Sequence, residues 1–426
     1  MTLTLAPDAP HAPSAARAAL RPAPQQCRLC GTITAPEPLA ICAHCLGPLD
    51  PILDPTRRLP SRAEIEARPR SLWRYAEWLP FAGAPVHSLD TGFTPLVDAP
   101  RLASKLGVAR CWVKNDAVSH PTLSFKDRVV ATAINAAHAF DLDTIGCAST
   151  GNLANAVAAH AARAGLAAWI FIPADLEPAK VIGTAVYGPR LVRVNGTYDD
   201  VNRLCQQLAD RYGWGLVNIN LRGYYGEGSK TMAHEIAEQL GWRLPTAVVA
   251  PMAGGSLINK LKKGFGEFLS AGLVAGEQPR LFGTQASGCA PIVRLVESGA
   301  DRLTPELPDT IARSLAIGNP ADGQFASDAI RSTGGWVAKV SDEALLAGIR
   351  ALAADTGIFA ETAGGVTVAG ALALAALGRF RADDEVVLCI TGNGLKTVDA
   401  PAGSLPPASV VAPKLREVAA LVEKGY

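Results

Sequence analysis

At 426 residues the chain exceeds the usual reach of one hydrophobic core, which points to two domains or more. Its 40 lysines and arginines against 39 aspartates and glutamates leave a formal charge of +1, with no basic tract or aromatic-basic stripe, so nothing in the charge balance calls for nucleic acid. No run of about 18 or more apolar residues occurs, and no membrane partner is expected.

Residues 1–26 are rich in Ala and Pro, lack the charged start and continuous apolar core of a secretory signal, and read as a disordered tail. The reduced cytoplasm is therefore the expected compartment for the nine cysteines. Five of these (Cys111, Cys147, Cys205, Cys289 and Cys389) lie mostly in apolar segments, where a free thiol packs as a small hydrophobe. The other four, Cys27, Cys30, Cys42 and Cys45, form "CRLCGTITAPEPLAICAHC", two C-x-x-C knuckles that together can complete a tetrahedral thiolate shell around Zn²⁺. Residues 27–50 are read as a structural zinc ribbon, against a metal-free ribbon or a redox pair. With only Arg28 nearby, the ribbon suits a structural or docking role better than nucleic acid, and its metal is expected far from any catalytic chemistry.

Residues 51–84 read as a linker or helical segment. From residue 108, strand-length runs such as "ARCWVKND", "TIGCAS", "AWIFIP", "TAVVAPM" and "EVVLCI" alternate with amphipathic stretches such as "NLANAVAAHAARAG" and "GSLINKLKKGFGEFLSAG". This alternation predicts an α/β fold of parallel or mixed sheets flanked by helices, with ligands bound beyond the carboxyl ends of the strands. Three turns at such ends carry small, hydrogen-bonding residues: Thr150-Gly151-Asn152, Ala253-Gly254-Gly255-Ser256 and Thr391-Gly392-Asn393-Gly394. Free backbone N–H groups at a helix start suit an anion. Taken singly, each is equally well a tight turn or a helix cap. A fourth loop, "HPTLSFKDRVV", sets Lys126 between an aromatic residue and an Asp-Arg pair, and the four together make a candidate site.

The segments "DTGFTPL", "SFKDR", "STGN", "EGSKTMAHEI", "PMAGGSL", "ARSLAIGNP", "ETAGG" and "TGNGLK", in that order between residues 85 and 400, resemble threonine synthase. This is a pyridoxal 5′-phosphate (PLP) enzyme of fold type II, related to tryptophan synthase β, and some members carry an N-terminal zinc ribbon. The resemblance implies a large PLP domain over 85–119 and 224–415 and a small domain over 120–223. It implies that Lys126 holds the cofactor covalently and is the catalytic amine, which requires desolvation or neighbouring cations such as Arg128 to free its lone pair. Asn152 would bond the cofactor's 3′-oxygen, and Ser149, Thr150 and Gly151 would take the substrate's α-carboxylate. Ala253, Gly254, Gly255 and Ser256 would cradle the cofactor phosphate, and Thr391 would face the pyridine nitrogen with a hydroxyl, moderating its strength as an electron sink. Glu361 and Asn319 match family segments without a defined task. Lys114 and Asp116 read equally as substrate-phosphate groups or as a strand-edge ion pair.

The implied activity is that of a carbon-oxygen lyase, in which a homodimer converts O-phospho-L-homoserine and water into L-threonine and phosphate. Such a substrate needs a second anion pocket, for which Arg163, Lys180, Arg190, Lys230, Lys260 and Arg313 are candidates. The chain departs from the family where Asn-Pro-Thr-Gly usually precedes the lysine motif: it has His120-Pro121-Thr122-Leu123, and Ala253 stands where glycine is common. Because the lysine loop is expected to border the substrate pocket, a related β-replacement or elimination enzyme, such as a cysteate synthase or threonine dehydratase, is the alternative. A catalytically dead ligand-binding scaffold is a further one, although it would have no need of Lys126, Asn152 and Thr391 together.

Overall fold

Short apolar runs and two cysteine knuckles become the strands of three sheets and one small pair. The computed structural model describes residues 20–423, except 150, 175, 177, 197 and 407. At the start, β1 (Arg21–Pro22) pairs with β5 (Phe81–Ala82), and β2 (Gln25–Cys27), β3 (Ile33–Thr34) and β4 (Leu49–Pro51) form an antiparallel sheet in the order β3-β2-β4. The only apolar cluster of this ribbon is Cys27, Cys42 and Leu49 with Cys45 packed against it, too little burial to hold a fold unaided.

Residues 51–84 are more firmly tied down than a linker. Ser61 and Glu64 close a capping box on the helix Arg62–Glu66. Beyond it, Tyr75 and Trp78 bury their rings against His234 and Phe268.

Strands β6 (Leu96–Asp98) and β7 (Arg110–Asn115) precede the lysine loop. Next come β8 (Thr144–Ala148), β9 (Ala167–Pro173), β10 (Arg190–Val194) and β11 (Gly215–Leu216), which form an all-parallel sheet in the order β10-β9-β8-β11. Then β12 (Ala247–Pro251), β13 (Arg280–Ala286), β14 (Val337–Val340) and β15 (Glu385–Ile390) join the two earlier strands in the order β14-β13-β12-β15-β7-β6, parallel except for β6 at the edge. Every residue of "AVVAP" and "EVVLCI" is buried, as expected of parallel strands covered on both faces. The α/β architecture of parallel and mixed sheets anticipated from the alternation is the one observed, and it agrees with the fold type II that the resemblance implied.

A buried ionic network fixes the start of the helix Lys126–Ala139. Arg128 bonds Asp116 through Nε (2.6 Å) and Nη2 (2.8 Å) and reaches Glu235 through both Nη atoms, while Lys114 Nζ lies 2.6 Å from Glu235. All four side chains are fully buried. Lys114 and Asp116 are therefore members of an internal ion-pair network. Arg128 is not on the cavity wall, and its charge is matched by two carboxylates, which corrects the expectation that it cationises the surroundings of Lys126.

Candidate active site

The carboxyl ends of β8, β12 and β15 converge on a cavity of 370 Å³. Lys126 enters it from the first turn of its helix. The loop before that helix is held by the turn after β15, through the Ser124–Gly392 bridge and the Phe125 N–H donating to the Thr391 carbonyl at 2.9 Å. Ser149, Asn152, Ala253, Gly254, Gly255, Ser256 and Thr391 line the same cavity. Gly151 is not on the wall; it turns the chain at φ +136°, and a Cβ there would collide with the Lys180 side chain. Thr150 lies outside the described residues.

The Lys126 amine sits 4.8 Å from the Phe125 ring centroid and 5.8 Å from that of Tyr225, and donates a hydrogen bond to the Tyr225 hydroxyl at 3.1 Å. Burial pushes the Tyr225 phenol above its ordinary pKa, so it remains protonated and can also donate to a neutral amine. Ser149 Oγ accepts from the backbone N–H groups of Gly151 (3.0 Å) and Ala154 (2.9 Å), which leaves its own proton for a ligand. Asn152 Nδ2 donates to both Glu361 carboxylate oxygens at 2.9 Å, giving that glutamate, at the head of the helix Thr362–Ala376, a defined place on the wall.

The Ala253–Ser256 turn leads into the helix Ser256–Ser270, with Gly255 in the left-handed region at φ +90°. A Cβ on Gly255 would come within 2.9 Å of the Asp322 carbonyl, whereas one on Gly254 would meet nothing within 4 Å. The turn is therefore open on one side, with the N-terminus of a long helix behind it, a suitable cradle for phosphate.

Among the substrate-anion candidates, Lys230 and Lys260 are buried on Glu227 (2.5 and 2.6 Å), and Arg163, Arg190 and Arg313 are exposed. None of these, nor Lys180, lines the cavity; besides Lys126, Arg222 is the cation there among the described residues. Sequence reasoning missed both Arg222 and Tyr225. They sit on the short helix Arg222–Glu227, beyond the carboxyl end of β11, and that location was the available signal. Leu123, which departs from the family's glycine in the lysine loop, is also off the wall, with φ +59° and 37% exposure.

Two buried polar atoms on the wall, Asn152 Oδ1 and Ser314 Oγ, have no hydrogen-bond partner among the described residues. With the open phosphate cradle they fit a polar, phosphorylated cofactor. The pyridoxal-phosphate-dependent enzyme family matches residues 87–392. The chain belongs to that family. It is 35% identical to the threonine synthase of Methanosarcina acetivorans over 87% of this chain and 91% of that one, and 35% identical to that of Methanocaldococcus jannaschii over 88% and 93%. The similarity to these synthases makes it a PLP-dependent lyase. The fold is shared with processed threonine deaminase isoform 2 from Solanum lycopersicum (TM-score 0.61, 22% identity, covering 74% of this chain and 84% of that one). It is also shared with maize serine racemase (TM-score 0.59, 18% identity, covering 79% and 94%).

The four ribbon sulfurs lie within 4.8 Å of one another, with Cys27 and Cys45 at 3.4 Å and Cys30 and Cys42 at 3.8 Å. Zinc-sulfur bonds of about 2.3 Å imply tetrahedral edges of about 3.8 Å, so the donor set fits the ion. No helix among the described residues is long and apolar enough to cross a membrane.

Proposed function

We propose that the protein is a threonine synthase, converting O-phospho-L-homoserine and water into L-threonine and phosphate, with a structural Zn²⁺ on Cys27, Cys30, Cys42 and Cys45. The observation that carries this reading is that one cavity offers two groups suited to anions, the turn before the helix Ser256–Ser270 and the Arg222 guanidinium, which gives one N–H to Asp322 at 2.5 Å and keeps further donors for a ligand. The first suits the cofactor's phosphate and the second a phosphorylated substrate. A deaminase of unphosphorylated threonine would have no use for the second seat.

When bound, PLP supplies the electron withdrawal that acidifies the substrate's Cα–H and then Cβ–H bonds. In this reading Lys126 holds and returns those protons, and the N–H it donates to the Tyr225 hydroxyl orients its lone pair. Ser149 and the turn behind it orient the α-carboxylate, while Arg222 neutralises the leaving phosphate at Cγ. Asn152, backed by Glu361, sets the tilt of the cofactor ring.

Phosphate release from O-phosphohomoserine, assayed beside O-phosphoserine, serine and threonine, tests the reading. Phosphohomoserine should be strongly preferred; equal or faster deamination of threonine would overturn the assignment in favour of a dehydratase. Arg222→Ala should raise KM for phosphohomoserine by about ten- to hundredfold, the worth of one lost charge-assisted hydrogen bond, while the bound cofactor's absorption stays as in the wild type.

Thr391, at the end of β15, is read as the hydroxyl facing the pyridine nitrogen. Thr391→Val keeps the β-branched shape and should cost roughly ten- to hundredfold in turnover, with a shifted cofactor spectrum. Wild-type turnover and spectrum in that variant would remove Thr391 from the site.

A further inference from the structure

The four-cysteine ribbon, expected from sequence to stand apart from the chemistry, rests directly on the parts that build the cavity. Arg28, beside Cys27, lies 3.7 Å over the Phe325 ring and donates to Asp322 Oδ1 at 3.2 Å. The other carboxylate oxygen of Asp322 accepts from Arg222 at 2.5 Å. Asp322 also holds the phosphate turn through its backbone, since its N–H donates to the Gly254 carbonyl (3.0 Å) and its own carbonyl abuts Gly255.

A second contact runs to the helix Arg222–Glu227, which carries both Arg222 and the lysine's partner Tyr225. A Cβ on Gly223 would lie 2.7 Å from the Leu49 carbonyl and 3.2 Å from Gln25 Nε2, so the ribbon's backbone seats on the helix where it has no side chain. Tyr224 donates to the Ala23 carbonyl at 2.7 Å. At the far end of the helix, Glu227 bonds Lys260, which in turn bonds Asp50 on β4 at 3.0 Å. The ribbon therefore grips this helix along its length and the phosphate turn through Asp322.

We infer that the ribbon is a positioning element of the active site, and that its metal-loaded shape sets the cofactor's phosphate turn through Arg28 and Asp322 and the lysine's partner through Gly223. This takes from the foregoing only that the cavity holds PLP and that the cysteines hold a metal; the identity of the substrate does not enter.

The test uses the full-length protein stripped of PLP, and reads the PLP concentration that half-restores the bound cofactor's visible absorption. Arg28→Ala and Gly223→Ala should each raise it roughly tenfold while zinc content stays near wild type; Arg28→Ala should also leave the melting temperature near wild type, and Arg28→Lys should recover part of the loss. Chelating the metal from the wild type should produce at least as large a rise, and chelating it from the Arg28→Ala, Gly223→Ala double variant should add little, because both links are already cut. Wild-type PLP affinity in both alanine variants would overturn the inference, as would effects of chelation and of the double variant that simply multiply. If chelation unfolds the ribbon, the two alanine variants alone decide; purified, unchelated protein without zinc would overturn the metal's part in the inference. Failure of the substrate assignment would appear separately, as poor turnover of phosphohomoserine with these PLP measurements intact.

Discussion

Lys126→Ala is expected to lower turnover by about a thousandfold or more while the protein remains folded. The side chain projects into the cavity from the first turn of its helix, and the neighbouring network of Lys114, Asp116, Arg128 and Glu235 that anchors this helix does not include it. What is lost is the group proposed both to hold the cofactor covalently and to move protons at Cα and Cβ, and proton transfer alone contributes about a hundred- to ten-thousandfold. Steady-state kinetics beside a thermal melt measure the two halves of the claim. Borohydride reduction of the wild type followed by peptide mapping should place a pyridoxyl group on Lys126, and a label on any other lysine would refute the assignment.

Glu235→Ala should produce the largest loss of stability. Its carboxylate accepts from the backbone N–H of Thr94 (3.2 Å) and faces both Lys114 and Arg128, each fully buried. Removing it leaves two buried cations to one carboxylate, Asp116, a change that costs about 3–5 kcal/mol, to be read from the shift of the urea-unfolding midpoint at neutral pH. Burial works to raise the pKa of Glu235, but the charges of Arg128 and Lys114 prevail and hold it at about 2, below its ordinary 4.5. A depressed folded-state pKa means that this carboxylate's stabilisation is fully present above pH 4.5 and is lost as pH falls toward 2. The acid limb of the stability profile in that window should therefore be shallower in Glu235→Ala than in the wild type.

Much of the fold was legible because its signals are local. Continuous apolar runs such as "EVVLCI" identify strands buried on both faces, and the paired cysteine knuckles mark their own module. The lysine loop and the three glycine-bearing turns could be located from strand ends alone, and the cavity draws residues from all of them. The contacts that join the modules were not legible. Arg28 and Asp322 are 294 positions apart, and nothing in the residues around either one names the other. Lys114 and Asp116 looked like possible substrate ligands because a lone charge at a strand end gives no hint of a carboxylate or guanidinium waiting on a distant helix. Tyr225 was hidden in a short, glycine-flanked helix whose sequence has too few turns to show a period.

The strand order β14-β13-β12-β15-β7-β6 has a bearing on how the molecule is made. Strand β7 leads into the lysine loop, yet its parallel neighbour is β15, which leaves the ribosome more than two hundred residues later. The loop itself is pinned by the turn after β15, through the Phe125 amide on the Thr391 carbonyl and the Ser124–Gly392 bridge. During synthesis, the four-stranded sheet can close on its own consecutive strands while β7, paired with β6 on one side, waits for β15 on the other. Lys126 is thus delivered early but seated late. A nascent or truncated chain lacking β15 would carry the amine without the frame that aims it, and such a chain is expected to bind no cofactor, as its visible absorption would report.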